Sequence, residues 1–150
     1  NHTSVNAKRS VYASYINRIH RKIHANWGNE YLPRLDNRYG PGHQLSNPDL
    51  RTTLEIVVDG ASGEVEDVNI VSSSGVTSYD AEAVMISYDT GPHPEAPDEV
   101  VSPDGNVYLH WNFWRNQRQC GTFGVSVYKR TDVEGGGSEK REIAPSGGAE

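Results

Sequence analysis

Much that commonly announces a function is missing from this chain. One cysteine, Cys120, stands among 150 residues, which excludes an intrachain disulfide and leaves the redox compartment open. The longest strictly aliphatic run is Ile56-Val57-Val58, so nothing in the sequence can span a bilayer as a helix. No Gly-x-Ser-x-Gly elbow is present, and Gly60-Ala61-Ser62-Gly63 lacks the lysine and spacing of a phosphate-binding loop. The chain starts at Asn1 with no initiator methionine and no signal peptide, which reads as a fragment of something longer. The sequon Asn1-His2-Thr3 carries little weight at such an end. Cations are unevenly supplied. Residues 1–50 hold seven Lys/Arg against three acids, residues 51–106 one against twelve, and residues 107–150 six against five. A net charge of −6 spread this way describes a charge-dipolar domain, not the uniformly basic surface of a dedicated nucleic-acid binder.

What is present is organised around residues 54–75. Leu54, Ile56 and Val58 alternate with Thr53, Glu55 and Val57, the period of a half-buried strand. Asp59-Gly60-Ala61-Ser62-Gly63 supplies the turn, and Val65 to Ser72 alternates back. Val68 and Ile70 then face one way, and Asp67, Asn69 and Val71 the other. A lone hairpin is marginal in water, so the rest of the chain must cover one face and add a strand.

The other elements follow from their periods. Tyr12, Tyr15, Ile16, Ile19, Ile23 and Trp27 form an apolar stripe at helical spacing. Ser10 is the expected N-cap and Gly28 the closing residue. Residues 28–51 read as a long connection with one helical turn near Tyr31-Leu35. Ser78 to Tyr88 reads as a short second helix with Tyr79, Ala83 and Ile86 on one face and Ser78 and Asp80 suited to its first turn. A Pro-rich loop covers 89–106. Val107, Leu109, Trp111 and Phe113 alternate with Tyr108, His110, Asn112 and Trp114 in a third strand, and Phe123 to Tyr128 is a candidate fourth. The domain reading is a linker end at 1–9, a folded domain at 10–131 and a Gly-, Ser- and Glu-rich disordered tail at 132–150. The fold class is α+β: a two-layer domain with a three- or four-stranded antiparallel sheet and two helices packed on one face.

Helix, strand, strand, helix, strand is also the order of a known family. Several segments carry the likeness: Tyr15-Ile16…Ile19…Ile23…Trp27; Ile56-Val57-Val58-Asp59…Gly63-Glu64-Val65; Val68-Asn69-Ile70-Val71-Ser72-Ser73-Ser74-Gly75; Tyr79-Asp80-Ala81-Glu82-Ala83; and Gly105-Asn106-Val107…Trp111-Asn112-Phe113. Over about residues 11–115 the chain resembles the C-terminal periplasmic domain of TonB and TolA energy transducers. Its Ile-rich, Trp-terminated helix looks closer to the TolA-like variants. The resemblance implies a non-enzymatic interaction module, located in the periplasm as part of an inner-membrane-anchored protein. Inner-membrane motor proteins would act through a missing N-terminal part, and an outer-membrane or periplasmic protein segment would be the partner. A role in gliding-motility machinery is a further implication of the same likeness. No cofactor is expected, and the domain is expected as a monomer or weak dimer. The family engages short partner segments by edge-strand addition, which here singles out the third strand, with Tyr108, His110, Asn112, Trp114 and Arg115 as partner-binding residues; the competing reading is that Val125–Arg130 folds back, pairs with this same edge and closes it.

Other readings weigh less. His20 and His24 are spaced to share a metal, but Arg21-Lys22-Ile23 between them offers no general base, and they read as a solvated shoulder of the helix. Asp59 with Asp67, or Glu64 with Glu66, are carboxylate pairs beside a turn, where acids are ordinary solvated residues, so no catalytic residue is assigned. A nucleic-acid-binding domain is the competing class. Lys8, Arg9, Arg18, Arg21 and Lys22 would supply the basic helix, and Trp111, Trp114, Arg115 and Arg118 would stack bases. The acidic hairpin opposes that reading.

Overall fold

The computed structural model describes residues 2–116, 125–133 and 137–145, with side chains over 10–116 and 125–129. The first helix, α1, spans His2–Asn26, so the expected linker end at 1–9 is helical from His2 onward and Ser10 caps nothing. Its stripe is the expected one. Tyr15, Ile16, Ile19, Ile23 and Trp27 are all buried, against Leu54, Ile56, Val58, Leu109, Trp111 and Phe113 of the sheet.

Gly28 does not end the helix. The chain continues through a π-helical turn, Trp27–Tyr31, directly into α2, Leu32–Arg38. With the His24 ring where it lies, a Cβ at position 28 would come 2.5 Å from it, so any larger residue there requires that ring to move. The π turn also brings Tyr31 and Leu32 into the core alongside Trp27. Wider turns of this kind re-aim a helix without breaking it.

The expected hairpin forms, but its first strand is buried on both faces, Glu55 and Val57 as well as Leu54, Ile56 and Val58, and not half-buried. β1 (Arg51–Asp59) pairs antiparallel with β2 (Val65–Ser72), Ile56 opposite Val68 and Leu54 opposite Ile70. Two register irregularities interrupt the pair, one beside Val71 and one beside Glu66, which bend and twist the strand. Gly63 closes the turn at φ +77°, and a Cβ there would meet the His93 carbonyl oxygen at 1.7 Å. The turn is therefore clamped by the Pro-rich loop as well as by its own hydrogen bonds. The His93 amide donates to the Gly63 carbonyl at 2.8 Å and the Ala96 amide to the Gly60 carbonyl at 2.8 Å.

The short helix, α3, spans Thr77–Asp89 and buries Tyr79, Ala83 and Ile86 as expected. The expected Ser78 cap is absent, and the N-cap position is Val76, with no side-chain cap. Asp80 acts instead on the segment preceding the helix, as described below. β3 (Asn106–Trp114) runs antiparallel to β1 over its whole length, from Asp59 opposite Asn106 to Arg51 opposite Trp114.

The architecture is α+β, with helices contacting an antiparallel sheet. Its four strands β2-β1-β3-β4 carry the core, and a fifth strand extends them. β4 (Val125–Val133) pairs with β3 through Val125–Tyr128, and its Val125 and Val127 enter the core. β5 (Gly137–Pro145) pairs with β4 along its length. The expected disordered tail is thus corrected over 132–133 and 137–145, because a ladder is built from backbone groups and glycine-rich composition does not forbid it. Residues 117–124, including Arg118 and Cys120, lie outside the described residues, as do 134–136 and 146–150.

Candidate functional site

The third strand is the expected docking edge, and the structure corrects this in favour of the competing reading, in which the segment from Val125 folds back onto it. β3 is internal. Tyr108, Leu109, His110 and Trp111 face Tyr128, Val127, Ser126 and Val125 of β4 on one side and β1 on the other. The far end of the strand is also taken. The Trp27 indole N–H donates to the Trp114 carbonyl at 3.0 Å, and the Tyr79 hydroxyl donates to the Phe113 carbonyl at 2.8 Å. A strand with partners on both sides has no free ladder to offer.

The expected contact residues are bound up in the same way. Tyr108 is buried and its hydroxyl donates to Asp104. His110 pairs with the buried Glu55 carboxylate at 2.9 Å and lies on the Tyr128 ring at 4.0 Å between centroids. Asn112 accepts from the Thr53 hydroxyl. Trp114 is half-buried beneath the Arg51 guanidinium, 5.4 Å from its ring centre. Arg115 is buried, donating through Nε to the Leu45 carbonyl at 2.7 Å and pairing with Asp36 at 2.6 Å. These five positions fasten the sheet to itself and to the 28–51 connection. The residues proposed to stack bases are similarly placed: Trp111 is a core side chain lying along His20, and Trp114 and Arg115 are occupied as above.

A different surface is open. Five large hydrophobic side chains are prominently exposed among the described residues: Val11, Ile70, Val71, Met85 and Tyr88. Four of these lie on two adjacent elements, β2 and α3. β2 is also the outermost strand on its side of the sheet. The chain bends there because of the two irregularities, yet its middle is held to α3: the Val68 amide donates to the Tyr88 hydroxyl at 3.1 Å. The sequence placed Ile70 on the same face as Val68, and it stands opposite Leu54, but it is half exposed. Exposed apolar groups gathered at an unpaired edge are the feature that a packed monomer normally avoids.

Buried polar groups divide into satisfied and unsatisfied ones. Asp80 is buried and accepts from the Thr52 hydroxyl at 2.5 Å, from the Ser74 amide at 3.0 Å, from the Ser74 hydroxyl at 2.6 Å and from the Ser73 hydroxyl. Burial alone would raise its pKa; the bonds from Ser73, Ser74 and Thr52 outweigh burial and hold the carboxyl below its usual value. The Ser-Ser-Ser-Gly and Tyr-Asp segments noted in the sequence therefore belong to one constellation, which ties β1, the end of β2 and α3 together.

His93 is the opposite case. It is buried beneath the loop whose Pro92 carbonyl accepts from Lys22 Nζ at 2.6 Å, and neither ring nitrogen has a hydrogen-bond partner among the described residues. Burial, with the Lys22 ammonium adding to it, pulls its pKa down to about 4. The fold thus takes up the neutral ring, whereas the unfolded chain binds a proton near pH 6.5. Stability is fully present above that value and declines as pH falls towards about 4, by up to roughly 2–3 kcal/mol. Denaturant unfolding at pH 7 and pH 5 should show this loss, and His93→Gln should abolish most of it. An unchanged pH dependence in His93→Gln would place the acid sensitivity elsewhere.

The helical histidine pair is a stacked one, His20 and His24 lying 5.4 Å apart between ring centres. His20 is half-buried against Trp111 and not simply a solvated shoulder, and its pKa is lowered by burial and by His24. Among the described residues no three His, Cys, Asp or Glu side chains gather as a metal site requires, and no helix is long and apolar enough to cross a membrane. No protein-family model, curated protein or solved structure matches this chain.

Proposed function

We propose that this chain is a non-enzymatic protein–protein interaction module of the TonB/TolA kind. It stands at the end of an envelope-spanning transducer and engages an outer-membrane or periplasmic partner. Its docking surface is β2 with α3, not β3. One observation carries the reading: Ile70 and Val71 on the outermost strand, and Met85 and Tyr88 on the helix that packs beside it, are all exposed. Surfaces of that composition are characteristic of protein interfaces. The helix-covered antiparallel sheet and the family likeness of residues 11–115 support it. On this reading the inner-membrane motor acts through the part of the protein N-terminal to this domain.

Site-specific photocrosslinking in the native host tests it. A photoreactive residue at Val71 or Met85 of the full-length protein should trap one discrete partner, whereas the same residue at Arg34, exposed on α2, should not. Equal adducts from all three positions, or none from Val71 and Met85, overturn the assignment of this surface. The full-length gene offers a second check. An upstream transmembrane helix joined by a Pro-rich linker supports a transducer, and a cytosolic neighbouring domain is incompatible with one.

A further inference from the structure

Away from β2 and α3, a groove of about 610 Å³ lies between α1 and the Pro-rich loop. That volume falls within the range of sites for small ligands. Pro92 is held to Lys22 through its carbonyl, and residues 94–98 then line the groove opposite the middle of α1.

The two walls carry opposite charges. Ser10, Ser14 and Arg18 line one wall, and residues four apart share a helix face, so they stand at successive turns. Glu95 and Asp98 line the other wall. Arg18, Glu95 and Asp98 are all exposed, and none of them joins an ion pair among the described residues. Unlike charges therefore border one groove without closing it.

Two further features point inward. Val11, the exposed hydrophobic side chain that is not part of the β2–α3 patch, lines this groove together with Pro94 and Pro97. Tyr15 also lines it, is 4% exposed, and has a hydroxyl with no hydrogen-bond partner among the described residues. Buried hydroxyls are normally paired, so an orphan one at a groove calls for a reason. Burial pushes the pKa of this phenol up, so it remains a donor across the physiological range.

Ligand chemistry follows from the walls. A simple anion would be repelled by Glu95 and Asp98, and a simple cation by Arg18. A free α-amino acid carries both charges on one carbon, whereas a dipeptide separates them by a peptide unit and can address both walls. We propose that this groove binds a small zwitterion of the dipeptide class. Arg18 and Ser14 hold its carboxylate, Glu95 and Asp98 hold its ammonium group, and its apolar side chains lie against Val11 and the two prolines. The Tyr15 hydroxyl donates to its peptide carbonyl. The site shares no residue with the β2–α3 surface, so this proposal and the interaction-module reading stand or fall independently.

The test uses the full 150-residue chain, isotope-labelled, titrated with leucyl-leucine and with its N-acetyl and C-amide forms. The free dipeptide should shift amides at 10–18 and 94–98, and each capped form should bind several-fold more weakly. Arg18→Gln should erase the discrimination against the C-amide while keeping that against the N-acetyl form. The double variant Glu95→Gln, Asp98→Asn should do the converse. These three side chains are exposed, so the variants should fold as the wild type does. Tyr15→Phe should weaken dipeptide binding several-fold without lowering the melting temperature, because the lost hydroxyl bonds to nothing in the protein.

Equal binding of all three forms, shifts centred elsewhere, or no shifts at millimolar dipeptide each overturns the proposed ligand. Discrimination unchanged in both charge variants overturns the assignment of the walls. A Tyr15→Phe protein that binds as the wild type does overturns the role of the hydroxyl.

Discussion

Replacing Trp27 with alanine should cost roughly 3–5 kcal/mol, the usual effect of deleting a large aromatic from a core. Three features place Trp27 at that level. It is 2% exposed. Its ring meets Tyr31, Tyr79 and Phe113 at centroid distances of 4.9, 5.1 and 5.0 Å, so the end of α1, the π turn, α3 and β3 converge on it. Its indole N–H also satisfies the Trp114 carbonyl at the end of β3. Domains of this size are stable by only about 5–15 kcal/mol, so the alanine variant should sit close to its unfolding transition at ambient temperature. Trp27→Phe keeps an aromatic in place but loses the N–H, and it should cost about 1–2 kcal/mol less than the alanine change. The midpoint of urea unfolding reads both. An alanine variant with an unmoved midpoint would mean that the helix is not anchored through this residue.

Asp80→Ala should also be damaging, by roughly 2–3 kcal/mol, the scale of losing hydrogen bonds to a charged group and leaving buried donors unpaired. The carboxylate collects the Thr52, Ser73 and Ser74 hydroxyls and the Ser74 amide, and hydrogen bonds to a charged group are the strong ones. Thr52 is wholly buried, so its hydroxyl would lose its acceptor where water cannot replace it. Asp80→Asn retains one acceptor oxygen and should fall between wild type and alanine. The pH signature separates this residue from His93. Asp80 has a depressed pKa, so its contribution is present above the ordinary carboxyl value and is lost as pH falls through the folded value. The His93 loss comes first, between about pH 6.5 and 4. Acid unfolding should therefore show two limbs. Asp80→Asn should remove the lower limb while leaving the upper one, and a single unchanged limb in that variant would contradict the assignment.

The local elements were legible in the sequence because each carries its own period. The stripe from Tyr15 to Trp27, the alternation at Leu54-Ile56-Val58 and at Val107 to Phe113, and the Tyr79-Ala83-Ile86 face all bury as the spacing requires. Helix and strand place side chains at fixed intervals, so a solvent boundary leaves its mark in the chain. The acidic stretch at 51–106 was equally plain, and it is now the charge of the candidate docking edge.

Tertiary structure alone decided which edge of the sheet is open. That choice depends on whether β4 pairs with β3, a long-range pairing made by backbone groups: the sequence offered it as one of two readings, and no side-chain pattern chose between them. Arg115 shows the same limit. Beside Trp114 it reads as an interface cation, but its guanidinium reaches Asp36 and the Leu45 carbonyl, remote in sequence. The room left at Gly28 depends on the position of the His24 ring, and the exposure of Ile70 goes with its place on the outermost strand. Periodicity tells which face of an element is apolar; only the packed neighbours determine how much of that face is covered and which hydrogen-bonding edge is left for a partner.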